Sequence, residues 1–372
     1  MPTPWQTRPV EWGLLWSLGR WLSPLTPEDL APPGVERSAV RVAPRRPADR
    51  PFEAWIYRPL DRPIQGALLV CPGLHYAGPA DPRLDRFLRV LAGSGLLVLS
   101  PFLPDFTALE VKESLTDDLE RALGALLEHP ARPRSITPGI FSISFGSLPS
   151  LRLAARATPE RPLGGLLVFG GYADFSRTLA HCLGQGAEGP RDPLNQPVVF
   201  LNLLPWLEVP EPERLAAALR RFVESTWGRP ELKAKARHQP IAEAVGAELT
   251  GRTAQVYRIA TGLDDGAFAL AETALRARGT DAHLDPRPVL AQIRCPVHLV
   301  HGRDDDVIPH TELDALAAAF PAGAAVSTYK TGLYAHTGRG GFGNLADGFR
   351  ELVTMFGMLK AIVEVSTAAG SP

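Results

Sequence analysis

The chain has 372 residues, 45% hydrophobic and 21% charged, with a formal net charge of −1. That length supports a sizeable core without cross-links, and a near-neutral balance with no basic stripe excludes nucleic acid as a partner. Three cysteines, Cys71, Cys182 and Cys295, lie far apart with no C-x-x-C pair, which suggests neither a disulfide framework nor a metal site and fits a reducing, cytoplasmic compartment.

Residues 1–34 form a tryptophan-rich segment. Trp5, Trp12, Trp16 and Trp21, four of the seven tryptophans, stand there among Leu14, Leu15, Leu18 and Leu22. Glu11, Gly19 and Arg20 break the apolar stretch, so it makes a poor signal peptide. Two readings remain. One is a helix docked on the main domain, its indoles covering apolar area, the reading favoured by a broad apolar face. The other is a helix in weak contact with a membrane surface, its indoles at the interface. No run reaches the roughly 18 apolar residues of a membrane span; the nearest, PVVFLNLLPWLEV, is interrupted by Asn202 and Pro205.

VERSAVRVAP (35–44) and PFEAWIYRPL (51–60) read as an antiparallel pair of strands joined by a proline-bearing turn. GALLVCPG (66–73) is then an apolar strand, LDRFLRVLAGSG (84–95) an amphipathic helix and GLLVLSP (95–101) a second apolar strand. Helix 114–129, strand 136–144, helix 147–157 and strand 164–171 continue the alternation, which predicts a mostly parallel sheet of about eight strands covered on both faces. Residues 172–290 interrupt it with helical runs at 212–227 and 268–279, and read as an inserted helical cap. The alternation resumes with strand PVHLVHG (296–302), helix 311–320, strand AAVSTYKT (324–331) and a final helix over 344–365. Residues 35–171 and 291–372 together are the core domain. The 37 prolines are spread through turns and form no low-complexity tract.

In GIFSISFGSLPS (139–150), Ser144 stands between Ser142 and Gly146 just after a buried strand. A tight strand-to-helix turn excludes large side chains two positions either side of its tip and projects the tip side chain into the open. Ser142 fits the tip less well because Ile140 would take the crowded position before it, and Ser147 falls inside the helix. A serine hydroxyl is a weak nucleophile that needs a base to take its proton and a carboxylate to orient the base.

These features resemble the alpha/beta-hydrolase superfamily, in its serine esterase and lipase-like branch with a helical cap before the acid-bearing strand, over roughly residues 35–365. Ser142-Ile143-Ser144-Phe145-Gly146 is similar to the family's G-x-S-x-G elbow, with serine in the first glycine position. HLVHGRDDDVIP resembles the family's G-x-x-D-x-x-V-P loop through Gly302, Asp305 and Pro309, with Ile308 for valine, which implies Asp305 as the acid. Asp304 is the nearer rival, Asp306 a bland neighbour, and Asp174, after the preceding strand, a second rival. Of nine histidines, His336 follows the last strand and precedes the final helix, where the family places its base. His298 reads as a packed core residue, while local hydrogen bonding explains His301 and His310. LLVCPGLHYAG resembles the family's H-G-x loop with Pro72 for histidine, which implies an oxyanion hole from the backbone N–H groups of Leu74 and Phe145. His75 and Tyr76 either line the pocket or are structural.

The resemblance implies a serine hydrolase acting on a small-molecule carboxylic ester or related acyl bond, with no metal or organic cofactor. A serine nucleophile argues against the dehalogenase and epoxide hydrolase branches. Thioesters, lactones, amides and carbon–carbon bonds beside a ketone remain open. So do acyl transfer with the same triad and ligand binding without turnover. Phe200, Leu203, Leu204 and Trp206 favour a partly apolar substrate, unless they pack the cap internally.

Overall fold

The computed structural model describes residues 9–23, 26–27, 29–184, 191–234, 237–279, 282–332, 334–335, 338–339 and 345–369. Helix α1 (Pro9–Leu22) precedes two antiparallel strands, β1 (Val35–Val42) and β2 (Phe52–Pro59). Then follow β3 (Gly66–Cys71), α2 (Pro82–Gly93), β4 (Leu96–Pro101), a single turn α3 (Pro104–Thr107), α4 (Leu115–Glu128), β5 (Gly139–Ile143), α5 (Ser147–Ala155) and β6 (Leu166–Phe169). An all-helical insertion carries α6 (Phe175–Cys182), α7 (Gln196–Leu203), α8 (Pro212–Thr226), α9 (Gln239–Gly246), α10 (Gly251–Ala260) and α11 (Ala267–Arg278). The chain returns through β7 (Val297–Gly302), α12 (Thr311–Ala319), β8 (Val326–Thr331) and α13 (Leu345–Ser366).

The sheet order is β1-β2-β4-β3-β5-β6-β7-β8. β2 runs antiparallel to both its neighbours, and every pair from β4 to β8 is parallel. The expected eight-stranded, mostly parallel sheet is therefore present. Because strand side chains alternate, the central strands serve two cores. Ala67, Leu69 and Cys71 of β3 face one with α4, α5 and α12, and Leu68 and Val70 face the other with α1, α2 and α13. The mostly apolar sequences of β3 to β6 are the signature of this two-sided burial.

Three local differences from the sequence reading have physical causes. α2 begins two residues early, at Pro82, because the Asp81 carboxylate accepts the N–H groups of Arg83 and Leu84 and Pro82 suits a first helical turn. α7 is a helix in a run that lacks helical periodicity: almost all its residues are buried, so no polar face marks the 3.6-residue repeat. On α1, Leu14, Leu15 and Leu18 are buried against α2 and α13, whereas Trp12 and Trp16 face outward. The helix docks through its leucines, not through these indoles. Trp5 lies outside the described residues.

That division gives an expected result. Leu18→Ala should cost about 2–5 kcal/mol, whereas Trp16→Ala, at a side chain 79% exposed, should change stability by less than about 0.5 kcal/mol. Urea denaturation of the two variants checks it.

Candidate active site

The chain runs from β3 outward to β4 and then crosses back to β5 on the other side of β3. Connections therefore diverge at the carboxyl ends of β3 and β5, and such a switch point opens a crevice above the sheet. The loop Pro72–Tyr76 leaves β3 there, and Ser144 leaves β5 there.

Ser144 has φ = 53°, a left-handed conformation that costs a non-glycine residue about 1–2 kcal/mol. The extended Ile143 precedes it, and the turn Ser144–Gly146 leads directly into α5. A side chain at 146 would fail here, because a Cβ would lie 2.5 Å from the Pro72 carbonyl oxygen and 3.0 Å from the Cys71 Sγ. Ser142 is fully buried within the sheet, its hydroxyl 3.4 Å from the Leu167 carbonyl oxygen. Ser144 differs from expectation in one respect. It is only 3% exposed, because the tip projects into a cavity of about 420 Å³ and not into open solvent.

Pro72, Gly73, Leu74, Phe145 and Ser144 all line that cavity. The β3 loop runs alongside the serine, since a methyl placed on Gly73 would lie 3.5 Å from the Ser144 Cβ. His75 also lines the cavity. Its Nδ1 accepts the Ala77 N–H at 3.1 Å, and its ring stacks on Tyr76 and packs against Trp227 of the insertion. Burial holds the imidazole below its ordinary pKa despite Asp81 at 3.3 Å, so it is neutral near pH 7. Tyr76 braces His75 from outside the cavity lining.

The three consecutive aspartates after β7 have different surroundings. Asp304 is exposed. Asp305 is 4% exposed, and its Oδ1 accepts the N–H groups of Val307 and Ile308, each at 2.9 Å. Its Oδ2 lies 3.2 Å from the Nε2 of His301, whose ring is also 2.9 Å from the Ile308 carbonyl oxygen. Asp306 pairs with Lys233. Asp174 caps α6 by accepting the Arg177 N–H, a structural employment. His298 is buried in β7, 3.7 Å from Glu364, and His310 precedes α12. His336 lies outside the described residues.

The other nucleophile types near the crevice are silenced by burial, which pushes the Cys71 and Cys182 thiols up to about 12. Neither is a thiolate at neutral pH.

Specific contacts anchor the insertion to the rest of the chain, and some of its residues line the cavity. The Tyr172 hydroxyl donates to the Leu284 carbonyl oxygen, tying its two ends together. Asn202 of α7 accepts the Val111 N–H and donates to the carbonyl oxygen of Leu109, itself at φ = 63°. Val198, Val199, Leu194, Leu179 and Trp227 supply an apolar wall. The four insertion residues singled out in the sequence lie elsewhere. Phe200 and Leu203 are fully buried in the main core, Leu204 packs against it, and Trp206 lies under the Arg278 guanidinium at 4.8 Å.

Lys233 escapes sequence reading altogether. Its Nζ lies 2.8 Å from Asp192 and 2.5 Å from Asp306, joining the insertion to the loop that carries Asp305. The Asp192 N–H also donates to the Asp306 carbonyl oxygen. Removing the cation leaves two carboxylates face to face, so Lys233→Met should cost about 1–3 kcal/mol. Lys233→Arg should retain most of that stability, and chemical denaturation of both variants measures the difference.

No family model matches the chain, and no curated protein matches it. It is similar in fold to solved structures at low identity. Acylaminoacyl peptidase from Pyrococcus horikoshii is 11% identical over 89% of this chain, with a TM-score of 0.44. This chain spans only 41% of that peptidase. An esterase from Pyrococcus furiosus is 11% identical over 88% of this chain and 96% of its own, with a TM-score of 0.48. A 2,6-dihydroxy-pseudo-oxynicotine hydrolase is 15% identical over 92% of this chain and 72% of its own, with a TM-score of 0.47. What assigns the architecture is internal to the molecule: the antiparallel second strand, the crossover around β3, and the left-handed serine between β5 and α5. By that architecture the chain has the alpha/beta-hydrolase fold.

Proposed function

We propose that the protein is a serine hydrolase that cleaves a carboxylic ester or related acyl bond through an acyl-enzyme on Ser144. The observation that carries this reading is Ser144 itself, held at positive φ on a strand-to-helix turn, buried, and lining a cavity beside the Pro72–Leu74 loop. Backbone strain of this kind persists only where surrounding structure over-determines it, and it clusters at active sites.

In the proposed reaction His336 takes the Ser144 proton as the oxygen attacks the acyl carbon. The Leu74 and Phe145 N–H groups hold the oxyanion, and Asp305 orients the imidazolium. His336 then returns the proton to the leaving alkoxide, and water repeats the sequence on the acyl-enzyme to free the acid. The two bonds that Asp305 Oδ1 accepts from the Val307 and Ile308 N–H groups support its part, because they hold the carboxylate in one orientation. The chemistry needs no metal or organic cofactor. The insertion serves as a cap over the site, spanning residues 172–290, with residues 35–171 and 291–372 as the catalytic core. The apolar wall from Val198, Val199 and Leu194 favours a small-molecule substrate with an apolar acyl or alcohol group.

A series of nitrophenyl esters of increasing acyl length tests the reading. Turnover should rise from acetate to medium-length chains, and a preference for short, charged substrates would contradict the apolar pocket. The rate should fall on the acid side of the profile, because a protonated His336 cannot accept the serine proton.

A further inference from the structure

Seven large hydrophobic side chains are exposed among the described residues, and five of them, Trp12, Trp16, Leu352, Val353 and Phe356, lie on α1 and α13. The helices pack together, with Trp12 and Phe356 ring centroids 6.5 Å apart and Gly19 against Leu359. Their inner faces already close the core through Leu14, Leu18, Leu359 and Ile362. The outer face is therefore surplus to folding.

Its size argues against a second copy as the occupant. Three aromatic rings of about 150–250 Å² each, roughly half or more open, with one leucine and one valine, present about 500 Å². A stable protein interface takes about 800 Å² from each partner. A lipid surface needs no complementary shape, only rings that settle at the headgroup boundary. The exposed charges described on the two helices are three cations, Arg20, Arg350 and Lys360, and one carboxylate, Glu364; none is an apolar group, so the contact that enters the bilayer is the rings. Leu22, the last residue of α1, lines the active-site cavity about 9 Å along the helix from Trp16.

We propose that the α1–α13 face docks on a phospholipid bilayer through Trp12, Trp16 and Phe356, bringing the cavity edge at Leu22 to the lipid surface. The proposal stands on the exposed face and does not depend on the hydrolase reading.

Flotation of the full chain with phosphatidylcholine vesicles tests it. The wild type should float with the vesicles, and Trp12→Ser/Trp16→Ser/Phe356→Ser should lose at least about tenfold in partitioning. Leu30→Ser and Leu60→Ser, exposed elsewhere, should bind as the wild type does. Trp16→Ser alone should bind several-fold more weakly, which keeps the test decisive if the triple variant loses its fold. Three results would overturn the proposal: a wild type that does not float, a folded triple variant that floats equally well, or a dimer in sedimentation that the triple variant abolishes.

Discussion

Ser144→Ala should lower ester turnover by at least about 10⁴-fold, because the remaining groups cannot supply an acyl acceptor. Far-ultraviolet circular dichroism should be unchanged, since alanine fits the space of the serine side chain. Ser144→Gly separates chemistry from strain. Glycine adopts φ = 53° without the Cβ clash, so this variant should be equally inactive and about 1 kcal/mol more stable than the wild type. Denaturant midpoints of the two variants, read beside their rates, check both claims. Full activity in Ser144→Ala would remove the nucleophile assignment.

Asp305→Asn should cost about 10²- to 10⁴-fold in turnover. The asparagine carbonyl oxygen can still accept the Val307 and Ile308 N–H groups, so the loop keeps its shape. The amide that replaces Oδ2 presents a donor where the base needs an acceptor, which favours the wrong imidazole tautomer. The same substitution should be close to neutral at Asp304, which is exposed, and at Asp174, whose cap on Arg177 an asparagine can preserve. Asp306→Asn should weaken the Lys233 contact and act mainly on stability. Steady-state kinetics of the four variants, with equal small effects throughout, would place the acid elsewhere.

Much of this arrangement was legible in sequence because the physics behind it is local. β3, β4 and β5 are short apolar runs with glycine or proline at their borders, and two-sided burial leaves them only the small hydroxyls of Ser100 and Ser142 as polar side chains. Ser144 stands out because Gly146 must lie against Pro72 and Cys71. What escaped depends on distant parts of the chain. α7 has no polar face, so its period is invisible. α1 is apolar nearly all round, and only its partners α2 and α13 decide that the leucines go in and Trp12 and Trp16 stay out. The Lys233–Asp306 contact spans 73 positions, and no local pattern could pair them. His336 follows from order along the chain alone.

Mass-spectrometric mapping of a serine-directed fluorophosphonate adduct tests whether Ser144 forms the covalent intermediate. One adduct per chain is expected, on the peptide containing Ser144, forming more slowly as pH falls and absent from Ser144→Ala. An unlabelled protein, or an adduct on Ser142, Ser147 or any other residue that survives Ser144→Ala, would contradict it.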